Sequence, residues 1–180
     1  MHWMVPLHHL DEYQISVAQS CSNLTGRRHW IQGFAGSGKT VLLVHIAVRI
    51  LVENPELSIC IITFTNALTN LIENGLPEEH EETIKVMTYH QFLSDGKKYD
   101  VVLVDEIQDI PKDKIENINN LAKHLVVAGD NDQSLYENSS TPEEIEEVLG
   151  PEIHRLETIY RLTQNIKDIV QTILPDTQIV

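Results

Sequence analysis

Five short apolar runs punctuate the chain: Trp30–Gln32, Ser58–Thr63, Ile84–Met87, Val101–Val104 and Leu125–Ala128. Runs this short and this uniformly apolar predict strands covered on both faces. Between them the apolar positions recur at helical spacing. In Thr40–Glu53, the residues Leu43, Ala47, Ile50 and Leu51 form one stripe, and Asn54-Pro55 closes it, because the residue before a proline is steered away from helical backbone. Asn66–Glu73, Pro111–Lys123 and Pro142–Leu149 are further predicted helices. In the last of these Thr141 is the N-cap, Pro142 takes the first helical position, Glu144 completes a capping box, and Gly150-Pro151 ends the helix. Strands alternating with helices predict βαβ units, hence an α/β fold with an open, mainly parallel sheet and helices on both faces. In such sheets ligands bind beyond the carboxyl ends of the strands.

The loop after the first predicted strand carries chemistry. Gly33-Phe34-Ala35-Gly36-Ser37-Gly38-Lys39-Thr40 fits G-x-x-x-x-G-K-[ST] and lies between a predicted strand and a predicted helix. The glycines let successive backbone N–H groups converge on one anion, and the helix adds its positive end. Gly33, Ala35, Gly36, Ser37 and Gly38 therefore cradle phosphates, Lys39 reaches them as a compact charge, and Thr40 offers a hydroxyl to Mg²⁺. Val101–Val104 then runs straight into Asp105-Glu106. Asp105 is placed to hold the metal and Glu106 to orient and deprotonate an attacking water. The expected ligands are ATP and Mg²⁺.

Composition narrows the partners. The chain has 180 residues, enough for one domain, and 13 Lys plus Arg stand against 27 Asp plus Glu, a formal charge of −14. That balance excludes a protein that lives by non-specific attraction to DNA or anionic lipid, so any nucleic-acid contact is local. The acidic runs Glu78–Glu82 and Glu143–Glu147 read as solvated surface. No apolar stretch is long enough to span a bilayer, and Met1–Leu10 lacks the pattern of a signal peptide, so no membrane partner and a cytoplasmic location are expected. Cys21 and Cys60 form no disulfide framework. They read as two buried thiols without a ligand cluster around either.

Further loops extend the pattern. Asp105-Glu106-Ile107-Gln108-Asp109 resembles motif II of the UvrD/Rep-type superfamily 1 DNA helicases, and Gly129-Asp130-Asn131-Asp132-Gln133-Ser134-Leu135-Tyr136 resembles their motif III. Thr63-Phe64-Thr65-Asn66 is similar to motif Ia, Thr88-Tyr89-His90-Gln91-Phe92 to motif Ib, and Leu156–Thr163 to motif IV. The matches come in family order from about residue 10 to 166. The resemblance implies a RecA-like P-loop NTPase fold and a set of roles. Gln14 would read adenine with its donor and acceptor. Gln133 would sense the γ-phosphate, Tyr160 would stack on the base, and Arg161 would act as an arginine finger. Phe64, Thr65, Asn66, Thr88 and His90 would touch single-stranded DNA.

The chain departs from that family at several points. Too few residues separate Phe92 from Tyr99 for the usual helical insertion, Val41 stands where arginine is frequent, and Glu137-Asn138-Ser139-Ser140 replaces an aromatic or basic segment. Residues 1–180 are expected to be one RecA-like ATP-binding domain, with about 155–180 beginning the connection to a second motor domain. Three readings accommodate this: the ATP-hydrolysing lobe of a longer helicase or translocase, a single-lobe ATPase that borrows a partner domain in trans, or a nucleotide-binding regulatory or interaction module.

Overall fold

The computed structural model describes residues 3–130, 139–160 and the short strand Gln178–Ile179. β1 (Arg28–Gly33), β2 (Ile59–Thr63), β3 (Ile84–Thr88), β4 (Tyr99–Val104), β5 (Ala122–Gly129) and β6 (Glu152–Leu156) form one sheet in the order β3-β2-β4-β5-β1-β6. Every pairing in it is parallel. A separate parallel pair joins β7 (Thr158–Ile159) to β8 (Gln178–Ile179).

Side chains alternate across each strand and divide the core into two layers. Ile31, Ile59, Ile61, Val101, Leu103, Val126 and Ala128 pack with buried residues of α1 (Glu12–Cys21), α2 (Lys39–Glu53) and α3 (Asn66–Glu73). Trp30, Cys60, Ile62, Val102, Val104, Leu125 and Val127 pack with α4 (Tyr89–Asp95), α5 (Lys112–Leu121) and α6 (Pro142–Leu149). This is the expected α/β architecture with helices on both faces. Full burial of each Ile, Leu or Val contributes about 1.5–3 kcal/mol, so the apolar runs fix the sheet interior. The order also sets β4, β5 and β1 side by side, which brings the loops after Val104, Gly129 and Gly33 together.

Several elements differ from expectation. The helix predicted to run through Lys123 ends at Leu121, and Ala122 begins β5 paired with Tyr99. Arg28 collects this turn, donating to the carbonyls of Ala122 at 3.2 Å and Lys123 at 2.8 Å. β6 was not expected, because its polar residues Glu152 and Arg155 are exposed at the sheet edge. α1 and α4 are short helices set by capping boxes, Asp11 with Gln14 and Thr88 with Gln91. The box of Thr141 and Glu144 stands as expected. Cys21 and Cys60 are buried and unpaired as expected, but Cys21 has company: its thiol lies within 4.8 Å of ring nitrogens of both His29 and His154. These residues lie far apart in sequence, so only the parallel packing of β1 and β6 beneath α1 reveals the cluster.

Candidate nucleotide site and nucleic-acid face

β1 delivers Gly33 to the loop and α2 takes over at Lys39. Gly36 and Gly38 have φ of 84° and 90°, a region costly for residues with a Cβ. Gly33 is required by contact instead: a Cβ there would stand 2.6 Å from Ser37 Oγ. Lys39 is buried, and its ammonium donates to the carbonyls of Gly33 at 2.7 Å and Phe34 at 3.2 Å. The lysine thus closes the loop on itself. Ser37 Oγ is buried without a hydrogen-bond partner, and Ala35 is exposed at the loop tip.

Thr40 Oγ1 donates to Asp105 Oδ2 at 2.8 Å, joining the phosphate loop to the end of β4. Asp105 is fully buried, and burial together with the neighbouring Glu106 pushes its carboxyl up to about 6, against the pull of Thr40 and Lys39. Its other oxygen, Oδ1, is buried without a hydrogen-bond partner. An orphaned carboxylate oxygen beside a hydroxyl is a donor set that fits a hard divalent cation such as Mg²⁺.

Glu106 is the one non-glycine with positive φ among the described residues, at 52°. A left-handed conformation at such a residue costs about 1–2 kcal/mol. Gln108 holds the strained residue in place. Its amide donates to Glu106 Oε2 at 2.8 Å and accepts from the backbone N–H of Asp130 at 3.2 Å. The Gln108 carbonyl accepts from Ser140 N at 3.0 Å. The amide packs so closely on β5 that a Cβ at Gly129 would lie 2.3 Å from Gln108 Oε1. Gln108 was visible in the sequence as part of a motif, but nothing there indicated that it ties motif II to the start of motif III.

Beside the loop, a cleft of about 880 Å³ is lined by residues that include Gln14, Ser37, Arg155 and Tyr160. Gln14 is buried, and both ends of its amide are engaged: Oε1 accepts from Asp11 N at 3.1 Å, and Nε2 donates to the Ser37 carbonyl at 3.1 Å. Each end retains one further hydrogen-bonding valence. Tyr160 donates its backbone N–H to the Gly36 carbonyl at 3.0 Å and its hydroxyl to Asp11 Oδ2. Burial, and after it the bond to Asp11, pushes the phenol up to about 12. Gln14 and Tyr160 therefore reach the phosphate loop from opposite ends of the chain. Gln133 and Arg161 lie outside the described residues.

The residues expected at nucleic acid gather at the carboxyl ends of β2 and β3, which are neighbours in the sheet. Phe64 stacks on Tyr89 with ring centroids 5.8 Å apart and planes at 15°, and Tyr89 meets His90 at 3.9 Å. Asn66 and His90 are exposed. Thr65 and Thr88 instead spend their side chains as N-caps of α3 and α4, accepting from Leu68 N and Gln91 N.

Solved structures share this fold. The structure of Pif1 helicase from Candida albicans is 18% identical, with a TM-score of 0.62, covering 94% of this chain and 44% of that one. The arterivirus nonstructural protein 10 helicase in complex with DNA is 16% identical, with a TM-score of 0.59 and coverage of 91% and 44%. Domain III of the Thermotoga maritima replication initiation protein DnaA is 20% identical, with a TM-score of 0.52 and coverage of 92% and 70%. Identities this low establish the fold alone. The chain spans less than half the length of these helicase structures. No curated protein matches its sequence. The family evidence comes from the model described as the viral superfamily 1 RNA helicase core domain, which matches residues 29–171. Most of the chain, including the phosphate loop, the Asp105-Glu106 strand end and the Gln108 tether, falls within that match, and the chain belongs to this superfamily 1 helicase core family.

Proposed function

We propose that the chain is the ATP-binding and ATP-hydrolysing lobe of a superfamily 1 helicase or translocase. The observation that carries this reading is the 2.8 Å hydrogen bond from Thr40 to Asp105, which sets the phosphate loop against an orphaned buried carboxylate. Lys39 exchanges its two loop carbonyls for phosphate oxygens, and the backbone N–H groups from Gly36 to Thr40 share the remaining charge. Thr40 and Asp105 would hold Mg²⁺, which would supply charge neutralisation on the phosphates. Glu106, kept in place by Gln108, takes the proton of the attacking water. Gln14 uses its spare valences to read adenine, and Tyr160 covers the base. Gln133 and Arg161 are assigned the γ-phosphate by resemblance.

A second RecA-like domain, in cis or in trans, supplies the facing wall of the site, because translocation requires two lobes that close and open around nucleotide. Support comes from the chain's spanning 44% of the Candida albicans Pif1 helicase. Single-stranded nucleic acid lies over Phe64 and His90, weakly for this lobe alone. The spelling Asp105-Glu106-Ile107-Gln108-Asp109 favours kinship with the UvrD/Rep branch.

The test is calorimetry with Mg-ATP on the wild type and on Lys39→Ala, joined to turnover by Glu106→Gln. Lys39→Ala is expected to abolish binding, and Glu106→Gln to retain binding and lose hydrolysis. Unchanged affinity in Lys39→Ala refutes the nucleotide site.

A further inference from the structure

At the opposite end of the sheet from the phosphate loop, the amino ends of β1 and β6 meet the last residue of α1. Cys21, His29 and His154 come together there, each offering one ligand atom within 4.8 Å of the other two. All three are buried, at 0%, 2% and 8% exposure. His29 Nδ1 and His154 Nε2 stand 3.2 Å apart. Two imidazole nitrogens on a tetrahedral zinc, each bonded at about 2.0–2.1 Å, are separated by about 3.3 Å, so the pair already has the spacing of one coordination edge.

An N–H···N bond between the two rings accounts for that distance alone. His29 Nε2 is buried without a hydrogen-bond partner whether the two rings share a proton or an ion. Burial opposes positive charge at these rings, and one carboxylate works against it. Glu152 lies close enough for its charge to act on Cys21, His29 and His154 alike. Glu152 is itself paired with the exposed Arg27 at 3.3 Å, so only part of its charge offsets that of an ion. His124 Nε2 donates to the Cys21 carbonyl at 2.8 Å and so fixes the backbone that carries the thiol. The exposed loop of residues 23–27 joins Cys21 to His29.

We propose that Cys21, His29 and His154 bind one zinc ion, which ties the end of α1 to β1 and β6 while a water completes the coordination. Thiolate with imidazole is a donor set for zinc and not for Mg²⁺ or Ca²⁺. Coordination forms the S–Zn bond as the thiol proton leaves to solvent. Because β1 runs from His29 to Gly33, the ion anchors the strand whose far end is the phosphate loop. The site stands independently of the ATPase reading.

The test uses the full chain, stripped with a chelator and desalted, then titrated with Co²⁺ by absorbance and with Zn²⁺ by calorimetry. One ion per chain is expected, with a thiolate-to-cobalt charge-transfer band that Cys60→Ser retains and Cys21→Ser loses. Zinc affinity falls about 10–100-fold in Cys21→Ser and His154→Asn, and stays unchanged in a variant with His8→Asn and His9→Asn. At a hundredfold excess of zinc over the wild-type Kd, Tm of the wild type rises by about 5–10 °C, and the rise in Cys21→Ser is smaller by about 3–9 °C. Absence of the charge-transfer band in the wild type overturns the proposal, as does the same band or the same zinc affinity in Cys21→Ser. Circular dichroism checks the fold of each variant. Should either site variant fail to fold, the wild-type cobalt spectrum still decides, with Cys60→Ser confirming which thiol is bound.

Discussion

Gly129→Ala is a one-methyl test of the Gln108 tether. The added Cβ would lie 2.3 Å from Gln108 Oε1 and 2.9 Å from Ile107 Cγ2, both closer than real Cβ contacts. The Gln108 amide is the part that can move, and moving it breaks two hydrogen bonds. The Asp130 N–H is left buried without its acceptor, which costs about 1–3 kcal/mol, and Glu106 loses a bond to a charged group worth about 1.5–3 kcal/mol. Glu106 is half-buried, so water recovers part of the second loss. The sum is about 2–4 kcal/mol, a fall of about 1–2 M in the urea midpoint. Gln108→Ala removes the same two bonds and makes room for the methyl. The double variant should therefore be little worse than Gln108→Ala alone, with a coupling of about 1–3 kcal/mol. Hydrolysis should fall in both single variants while nucleotide binding persists. Additive losses, or a Gly129→Ala chain as stable and active as the wild type, would refute the tether.

Three other expectations follow from the same geometry. Asp105 has its carboxyl raised from 3.8 to about 6, so the folded state favours the proton and stability declines as pH rises from about 4 to 6, then stays level. In magnesium-free buffer Asp105→Asn should therefore stabilise the chain by about 3 kcal/mol at pH 8 and by little at pH 4 in urea unfolding, and equal effects at both would contradict the burial argument. Gln14→Ala loses its bonds to Asp11 N and Ser37 O and should cost about 1–2 kcal/mol while erasing any preference for ATP over GTP; a preference that survives in competition binding removes Gln14 from base recognition. Phe64→Ala breaks the stack on Tyr89, and single-stranded DNA affinity by fluorescence anisotropy at low salt should drop at least about fivefold, as expected for one lost base stack; unchanged affinity places the strand elsewhere.

Much of this structure was legible because its signals are local. The apolar runs announced five strands, and for the central ones the reason is burial on both faces, which needs no partner information; β3, at the sheet edge, exposes Lys85 and is set by its apolar neighbours alone. The eight residues from Gly33 to Thr40 and the pair Asp105-Glu106 carry chemistry in their order alone. What escaped depends on contacts across the sheet. β6 alternates Glu152 and Arg155 with buried residues, a pattern too short to separate from loop, and only its pairing with β1 makes it a strand. Gln108 gained its role from the approach of Gly129, a residue 21 positions away whose lack of a side chain is uninformative until β4 and β5 are paired. Cys21 looked solitary for the same reason, because His154 reaches it only through the parallel register of β1 and β6.

Position also reconciles a formal charge of −14 with a nucleic-acid face. The acidic run from Glu78 to Glu82 precedes β3 and so lies at that strand's amino end, whereas His90 follows its carboxyl end. β3 has five residues, a length of about 13–17 Å. The Debye length in physiological salt is about 8 Å, so the run is largely screened from a strand lying over Phe64 and His90. The second run, from Glu143 to Glu147, sits on α6, whose buried residues Ile145 and Leu149 turn its acids outward to solvent. The charge therefore opposes indiscriminate binding over most of the surface and leaves the carboxyl ends of β2 and β3 as the face proposed for nucleic acid, by stacking and local polar contact. A nucleic-acid affinity built this way depends on ring contacts more than on counterion release, so its salt slope should be shallow for its strength.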